Sequence, residues 1–293
     1  MDENKWLAER FEENRARMRA VAYRMLGSLT EADAVQEAWL HTSRADTNAI
    51  MNLGAWLTTV VARICLDMLR ARKSRREEPE DTHIPDPIVG HAGGIDPEHE
   101  VLLAESVGIA LLVVLDTLAP AERLAFVLHD SFGIHFDEIA AIIGRTPAAT
   151  RQLASRARRR VQGATTTPDA DHIRQREVVE AFFAAARGGD FGALVALLDP
   201  DVVLRSDGGA ARPSASAVAR GALAVASRAI TFAQPGASIL PVLVNGAAGV
   251  VVVVDRQPFS VMGFTVANGK IVAINVLADP IRLRQLDLTA LDE

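Results

Sequence analysis

Apolar positions recur at helical spacing through the first third of the chain. Residues 4–25 carry them three and four apart and stop at Gly27, which predicts an amphipathic helix. Thr30, with Asp33 three positions on, reads as the cap of a second helix reaching residue 42. Asn52 caps a third, in which Trp56, Val60, Ile64 and Met68 repeat every four positions and which runs on into a basic segment. Pro79, Pro85, Pro87, Pro97 and the Gly93-Gly94 pair then break regular structure, so residues 77–100 are expected to be a linker. Helical spacing resumes over residues 101–118, and Pro120 suits the first turn of the next helix. Residues 136–161, FDEIAAIIGRTPAATRQLASRARRRV, read as a short helix, a turn at Gly144, and a longer helix capped by Thr146 with Pro147 behind it. Spacing and caps together predict a helix-turn-helix.

After a break at residues 165–168 the periodicity changes. Two more helices are expected at 173–187 and 190–198, then a strand at 202–206 and a small-residue helix near 214–230. Strand patterns follow at 238–244, 249–255, 261–267 and 271–277, with Asn268-Gly269 between the last two as a type I′ hairpin signal. Helices first and an antiparallel sheet afterwards indicate an α+β domain. The expected fold is therefore multidomain. Two all-α domains, a helical bundle at 1–76 and a helix-turn-helix at 101–165, are joined by the linker at 77–100 and followed by a C-terminal α+β domain at 169–293.

Composition sharpens this picture. A length of 293 residues suits two or three domains, and 49% hydrophobic residues supply their cores. The single cysteine, Cys65, sits in an apolar helical pattern and excludes an internal disulfide. The longest apolar runs, 109–115 and 247–254, are too short to span a bilayer, so a cytoplasmic protein with no membrane partner is expected.

The net charge of −6 hides a segregation. Residues 69–76 read LRARKSRR, residues 77–100 hold eight acids and no Lys or Arg, and residues 139–168 hold no acid at all. Basic, acidic and basic segments therefore alternate.

This pattern marks candidate nucleic-acid contacts. A recognition helix enters the major groove with polar side chains on its first turns, here Thr150, Arg151 and Gln152 after Thr146, and meets phosphates further along, here with Arg156, Arg158, Arg159 and Arg160. In the helix after Asn52, Trp56 shares one element with Arg63, Arg70, Arg72, Lys73, Arg75 and Arg76. An exposed aromatic beside cations can hold an unpaired base and its backbone, although spacing equally allows Trp56 to be core. The seven histidines have neither paired spacing nor a cysteine partner, so no metal site and no cofactor are expected.

DAVQEAWL at 33–40, NLGAWLTTVVARICLDMLRARKSRR at 52–76 and the helix-turn-helix resemble regions two and four of extracytoplasmic-function sigma factors. The resemblance covers roughly the first 165 residues. It implies an alternative sigma subunit that binds core RNA polymerase and directs promoter-specific initiation. Asp33, Gln36, Glu37 and Trp39 would dock on the β′ clamp helices, with the second helical domain on the β flap. Residues 52–76 would melt and read the minus-10 element, and residues 146–160 the minus-35 element. Ala32 stands where this family usually has an acid.

Three further signatures resemble the subgroup with a fused C-terminal SnoaL-like domain. His83-Ile84-Pro85-Asp86-Pro87 resembles its linker Trp-Leu-Pro-Glu-Pro, Asp207-Gly208-Gly209-Ala210 its Asp-Gly-Gly-Gly, and Asp279-Pro280-Ile281-Arg282-Leu283 its Asn-Pro-Asp-Lys-Leu. The resemblance implies regulation in cis, through Pro85, Asp86, Pro87, Asp207, Gly208, Gly209, Asp279, Pro280 and Leu283. Composition alone leaves the acidic linker equally readable as a solvated tether.

Two rivals remain at this point. Asp207 is a candidate base if the C-terminal domain keeps isomerase chemistry. Alternatively, the chain is a ligand-responsive repressor that binds promoter DNA without polymerase.

Overall fold

A computed structural model describes residues 3–28, 31–44, 50, 52–74, 82–91, 108–164, 168–233 and 236–288. The chain forms two compact units: Met1–Glu78 with Val114–Ala164, and Pro79–Val113 with Thr165–Glu293. Most of the expected linker and the start of the helical stretch after it, up to Val113, thus share one unit with the C-terminal part, and residues 1–78 and 114–164 share the other.

In the helical unit, α1 (Glu3–Leu26), α2 (Glu31–Thr42) and α3 (Leu53–Ser74) pack on one another. Gly27 ends α1 at φ 63°, and its N–H donates to the Tyr23 carbonyl. Thr30, the expected cap of α2, lies outside the described residues. Met18, Met25, Leu57 and Leu66 are fully buried between these helices. The chain returns at the end of α4 (Ile109–Asp116), followed by α5 (Pro120–Phe126), a π-helical turn at Val127–Ser131, α6 (Phe136–Ile143) and α7 (Pro147–Ala164). Gly144 takes φ 72° and ψ 44°, and the amides of Gly144 and Arg145 both donate to the Ala140 carbonyl. Thr146 Oγ1 then accepts from the Ala149 amide at 3.3 Å, so the tight turn and the cap set α7 against α6.

The second unit is a mixed sheet with helices on one face. After α8 (His172–Gly188) and α9 (Phe191–Leu197) come β2 (Leu198–Asp207), β3 (Ala217–Arg220) and α10 (Ala222–Thr231). The strands β4 (Ser238–Val244), β5 (Ala247–Val254), β6 (Gln257–Ala267) and β7 (Lys270–Leu277) form a meander, and α11 (Pro280–Leu283) closes the described part. β1 (Val89–His91) comes from the linker, and the strand order is β1-β4-β5-β6-β7-β2-β3.

Three departures from expectation stand out. β2 runs parallel to β7, so the sheet is not wholly antiparallel. The small-residue helix expected over 214–230 is split, because β3 pairs with β2 and Gly221, at φ 85°, separates it from α10. The linker contributes a strand, which pairs with β4 in place of an open edge.

Phe182, Phe183 and Phe264 meet edge to face beneath α8, with Leu194, Val225, Val250 and Ile274 around them. The opposite face is apolar too. There Gly249 pairs with Gly263 across β5 and β6, and the absent side chains let neighbouring apolar groups approach the strands. Ile109 Cγ2 lies 3.2 Å from where a Gly263 Cβ would stand, and Val244 fills the space beside Gly249.

Candidate functional site: three surfaces and a linker clasp

The expected polymerase and DNA residues that are described lie on α2, α3 and α7 or at their N-terminal caps. On α2, Asp33, Gln36 and Glu37 are exposed and Trp39 is half-buried, its ring edge-on to Phe11 at 5.0 Å. Ala34, Val35 and Ala38 are buried on the opposite side, so helical period alone turns the three polar side chains outward together. On α3, the Asn52 side chain accepts from the Ala55 amide at 3.0 Å, so Asn52 is a helix cap first. Trp56 is half-buried, Arg63, Arg70 and Lys73 are exposed, and Arg70 pairs with Asp67 at 3.3 Å. Arg72 reaches Ser28 Oγ at 3.5 Å. Arg75 and Arg76 lie outside the described residues.

α7 departs most from expectation. Thr150 is fully buried, and its hydroxyl donates to the Thr146 carbonyl at 3.0 Å, so it cannot face a base edge. Thr150, Ala154, Ala157 and Val161 are instead the packed stripe of the helix. Arg151 and Gln152 are exposed, and the Arg151 guanidinium lies 5.6 Å from the Phe136 ring. Three of the four arginines expected on phosphates hold acids of the preceding elements. Arg156 pairs with Glu122 at 2.9 Å, Arg160 with Glu122 at 3.4 Å, and Arg158 with Asp130 at 2.6 Å. Arg159 is exposed.

The C-terminal unit brings all three expected signatures together. Ile84, Pro85, Asp86 and Pro87 are buried, so this part of the linker is not a solvated tether. Of its eight acids only Asp86 lies among the described residues. At the end of β2, the Asp207 carboxylate accepts from the Ile84 amide at 3.2 Å, and the Gly209 amide donates to its other oxygen at 3.0 Å. Gly208 donates to Ser216 Oγ at 3.0 Å, and its own Cα faces the Arg212 carbonyl too closely for any side chain. Gly209 sits at φ 59° with its Cα against the Asp279 carboxylate. Asp279 caps α11 by accepting from the Ile281 amide at 2.8 Å, with Pro280 in the first turn and Leu283 buried below.

At the centre stands Arg282, which lies within the last of the three signatures but is not among the residues expected to regulate. Arg282 donates from Nε to Asp86 Oδ1 at 2.6 Å, from one terminal nitrogen to Asp207 Oδ2 at 2.7 Å, and from the other to the Ile84 carbonyl. A planar guanidinium with five N–H groups is the one side chain able to serve two carboxylates and a carbonyl at once. The signal was present in the sequence. An acid in the linker motif and a cation in the last motif are complementary charges, 196 positions apart.

A second tie fixes the same linker at the far strand. The Ile88 amide donates to Asn245 Oδ1 at 3.1 Å, and the Asn245 amide returns a bond to the Ile88 carbonyl at 2.8 Å.

Burial alone would raise the Asp207 pKa. Hydrogen bonds from His83 and the Ile84 amide, the Arg282 charge and the Gly209 amide outweigh it and hold the group at about 2. A carboxylate so occupied and so acidic is not a general base near neutral pH, which removes the isomerase rival's catalyst. Among the described residues no cluster of His, Cys, Asp and Glu could hold a metal ion, and no helix is long and apolar enough to cross a membrane.

Comparison with known proteins agrees with this layout. Residues 10–75 match the family Sigma-70 region 2, and residues 109–161 match Sigma-70, region 4. The ECF RNA polymerase sigma factor SigJ of Mycobacterium tuberculosis (strain ATCC 25618 / H37Rv) is 40% identical over 92% of this chain and 91% of its own length. The probable ECF RNA polymerase sigma factor SigI of the same species and strain is 34% identical over 93% of each chain. The crystal structure of the Mycobacterium tuberculosis extracytoplasmic function sigma factor SigJ superposes with a TM-score of 0.77 at 34% identity, covering 96% of this chain and 99% of the other. With both sigma-70 regions in order and a relative this similar along nearly the whole length, the chain belongs to the ECF RNA polymerase sigma factors, which bind core polymerase and direct transcription from specific promoters.

Proposed function

We propose that the C-terminal α+β domain regulates this sigma factor by holding its linker, and that release of the linker frees the two helical domains for the promoter. The carrying observation is the Arg282 clasp on Asp86, Asp207 and the Ile84 carbonyl. The linker joins the two helical domains, so a linker fastened at Ile84–Asp86 and again at Val89–His91 shortens their tether. The helical domains are themselves packed together in one unit, where Arg123 Nε donates to the Arg24 carbonyl at 2.9 Å. Regulation of this kind needs a state favoured by contacts that the other state lacks, and the clasp supplies them.

Within this reading the exposed Asp33, Gln36 and Glu37 face of α2, with Trp39 beside it, docks on the β′ clamp helices, and the second helical domain meets the β flap. Arg63, Arg70, Arg72, Lys73, Arg75, Arg76 and Trp56 serve the minus-10 strand, and α7 serves the minus-35 duplex. Footprinting on a promoter fragment tests this assignment. Protection of both elements is expected only when core polymerase is present, and Glu37→Lys should weaken core binding by at least tenfold. Equal protection by the chain alone would return the repressor reading.

A further inference from the structure

The recognition helix carries more arginines than its outward face can use, and its geometry sorts them. Thr150, Ala154, Ala157 and Val161 form the buried stripe. At 100° per residue, Gln152, Ser155 and Arg159 lie on the opposite side, and all three are exposed. Arg156 and Arg160 fall on one flank, where Glu122 holds both; Arg158 falls on the other flank, at Asp130. The Glu122 side chain is only 11% exposed, so its charge needs a partner, and two arginines are in place for it. Arg145 and Arg159 are exposed and carry no ion pair among the described residues.

From this juxtaposition we infer that the helix reaches DNA through Gln152, Ser155 and Arg159, flanked by Arg145 and Arg151, while Arg156, Arg158 and Arg160 are struts that orient it through Glu122 and Asp130. Gln152, on the second turn, has an amide suited to an adenine edge, and Ser155 has a hydroxyl one turn on. Arg159, Arg145 and Arg151 are the phosphate contacts, and each neutralises one charge of the backbone. The struts act through the acids they hold. This inference rests on α7 meeting the minus-35 duplex, as proposed above.

Salt dependence counts phosphate contacts, because each one lost lowers the slope of log affinity against log salt by about 0.9. The measurement uses core polymerase reconstituted with the full chain on a double-stranded minus-35 fragment. Arg145→Gln, Arg151→Gln and Arg159→Gln are each expected to lower the slope by about 0.9. Arg156→Gln, Arg158→Gln and Arg160→Gln should leave the slope unchanged while lowering the melting temperature of the free chain. A slope lowered as much by the second set as by the first overturns the sorting.

Glu122→Gln keeps the proposal testable should an arginine variant fail to fold. In that background Arg156→Gln and Arg160→Gln should lower the melting temperature of the free chain far less than they do in wild type, because the acid they hold is already gone; equal losses in both backgrounds overturn the struts. If no substitution in either set moves the slope or the affinity, α7 does not touch the duplex, and it is the minus-35 reading that fails.

Discussion

Arg123 donates from Nε to the main-chain carbonyl of Arg24 at 2.9 Å, from a position only 2% exposed. The same guanidinium pairs with Asp116, and Arg24 lies 4.8 Å over the Phe132 ring, so a cation of region 4 is buried against the end of the first region 2 helix. One Arg123 terminal nitrogen has no hydrogen-bond partner, so the burial is incompletely compensated.

Removing this cation strands its acid. Arg123→Met should destabilise the helical unit by about 3 kcal/mol, because Asp116, with its side chain only 14% exposed, is left without its partner. The double variant Arg123→Met, Asp116→Asn should recover part of that loss, which urea unfolding midpoints would show. Equal stability of the single and double variants would mean that the pair carries no coupling.

Asp207 makes the clasp sensitive to acid. Its folded pKa of about 2 lies below the ordinary 3.8, so the stability it confers is fully present above about pH 4 and is lost as pH falls towards 2. The shift corresponds to about 2 kcal/mol. Acid titration of wild type against Asp207→Asn should show the difference shrinking across that window. A difference that is flat with pH would mean the carboxylate is not held ionised by its partners.

Neither glycine after Asp207 has room for a side chain, and Gly209, which also takes a positive φ, is the clearer test. At φ 59°, with its Cα against the Asp279 carboxylate, it has neither the backbone conformation nor the room for a methyl group. Gly209→Ala should cost on the order of 2–3 kcal/mol of stability in thermal unfolding of the full chain.

Asn275 offers a substitution in the stabilising direction. It stands between Gly263 and Arg205 in the sheet register, is 1% exposed, and neither its oxygen nor its nitrogen has a hydrogen-bond partner. Asn275→Leu should raise stability, since an unmade hydrogen bond at a buried amide costs about 1–3 kcal/mol. A fall in melting temperature would show that the amide is used.

Local chemistry made most of the fold legible. Gly144 and Thr146 placed the helix-turn-helix, and Asn268-Gly269 placed a hairpin whose residues take φ 53° and 69°. Asn245-Gly246, with φ 51° and 76°, carries the same signal between β4 and β5. The rest depended on distant partners. Ala217–Arg220 has a helix former's composition and becomes a strand because β2 offers it an edge, and Val89–His91 becomes one because β4 does. Thr150 looked like a base contact by its place on the helix, but packing against the preceding elements decided which face turned inward. Arg282 was hidden because its partners lie in segments far apart along the chain, although both signatures were visible singly.

The measurement that bears most directly on the regulatory claim is run-off transcription by core polymerase with the full chain and with Arg282→Gln or Asp86→Asn. Whole-domain deletion is less suitable, because β1 and the buried Ile84–Pro87 segment would lose their partners with it. Both substitutions should make the linker cleavable by protease and raise promoter-specific transcript several-fold at equal core occupancy. Transcript unchanged or reduced, with the linker shown to be released, would contradict a restraining role for the clasp.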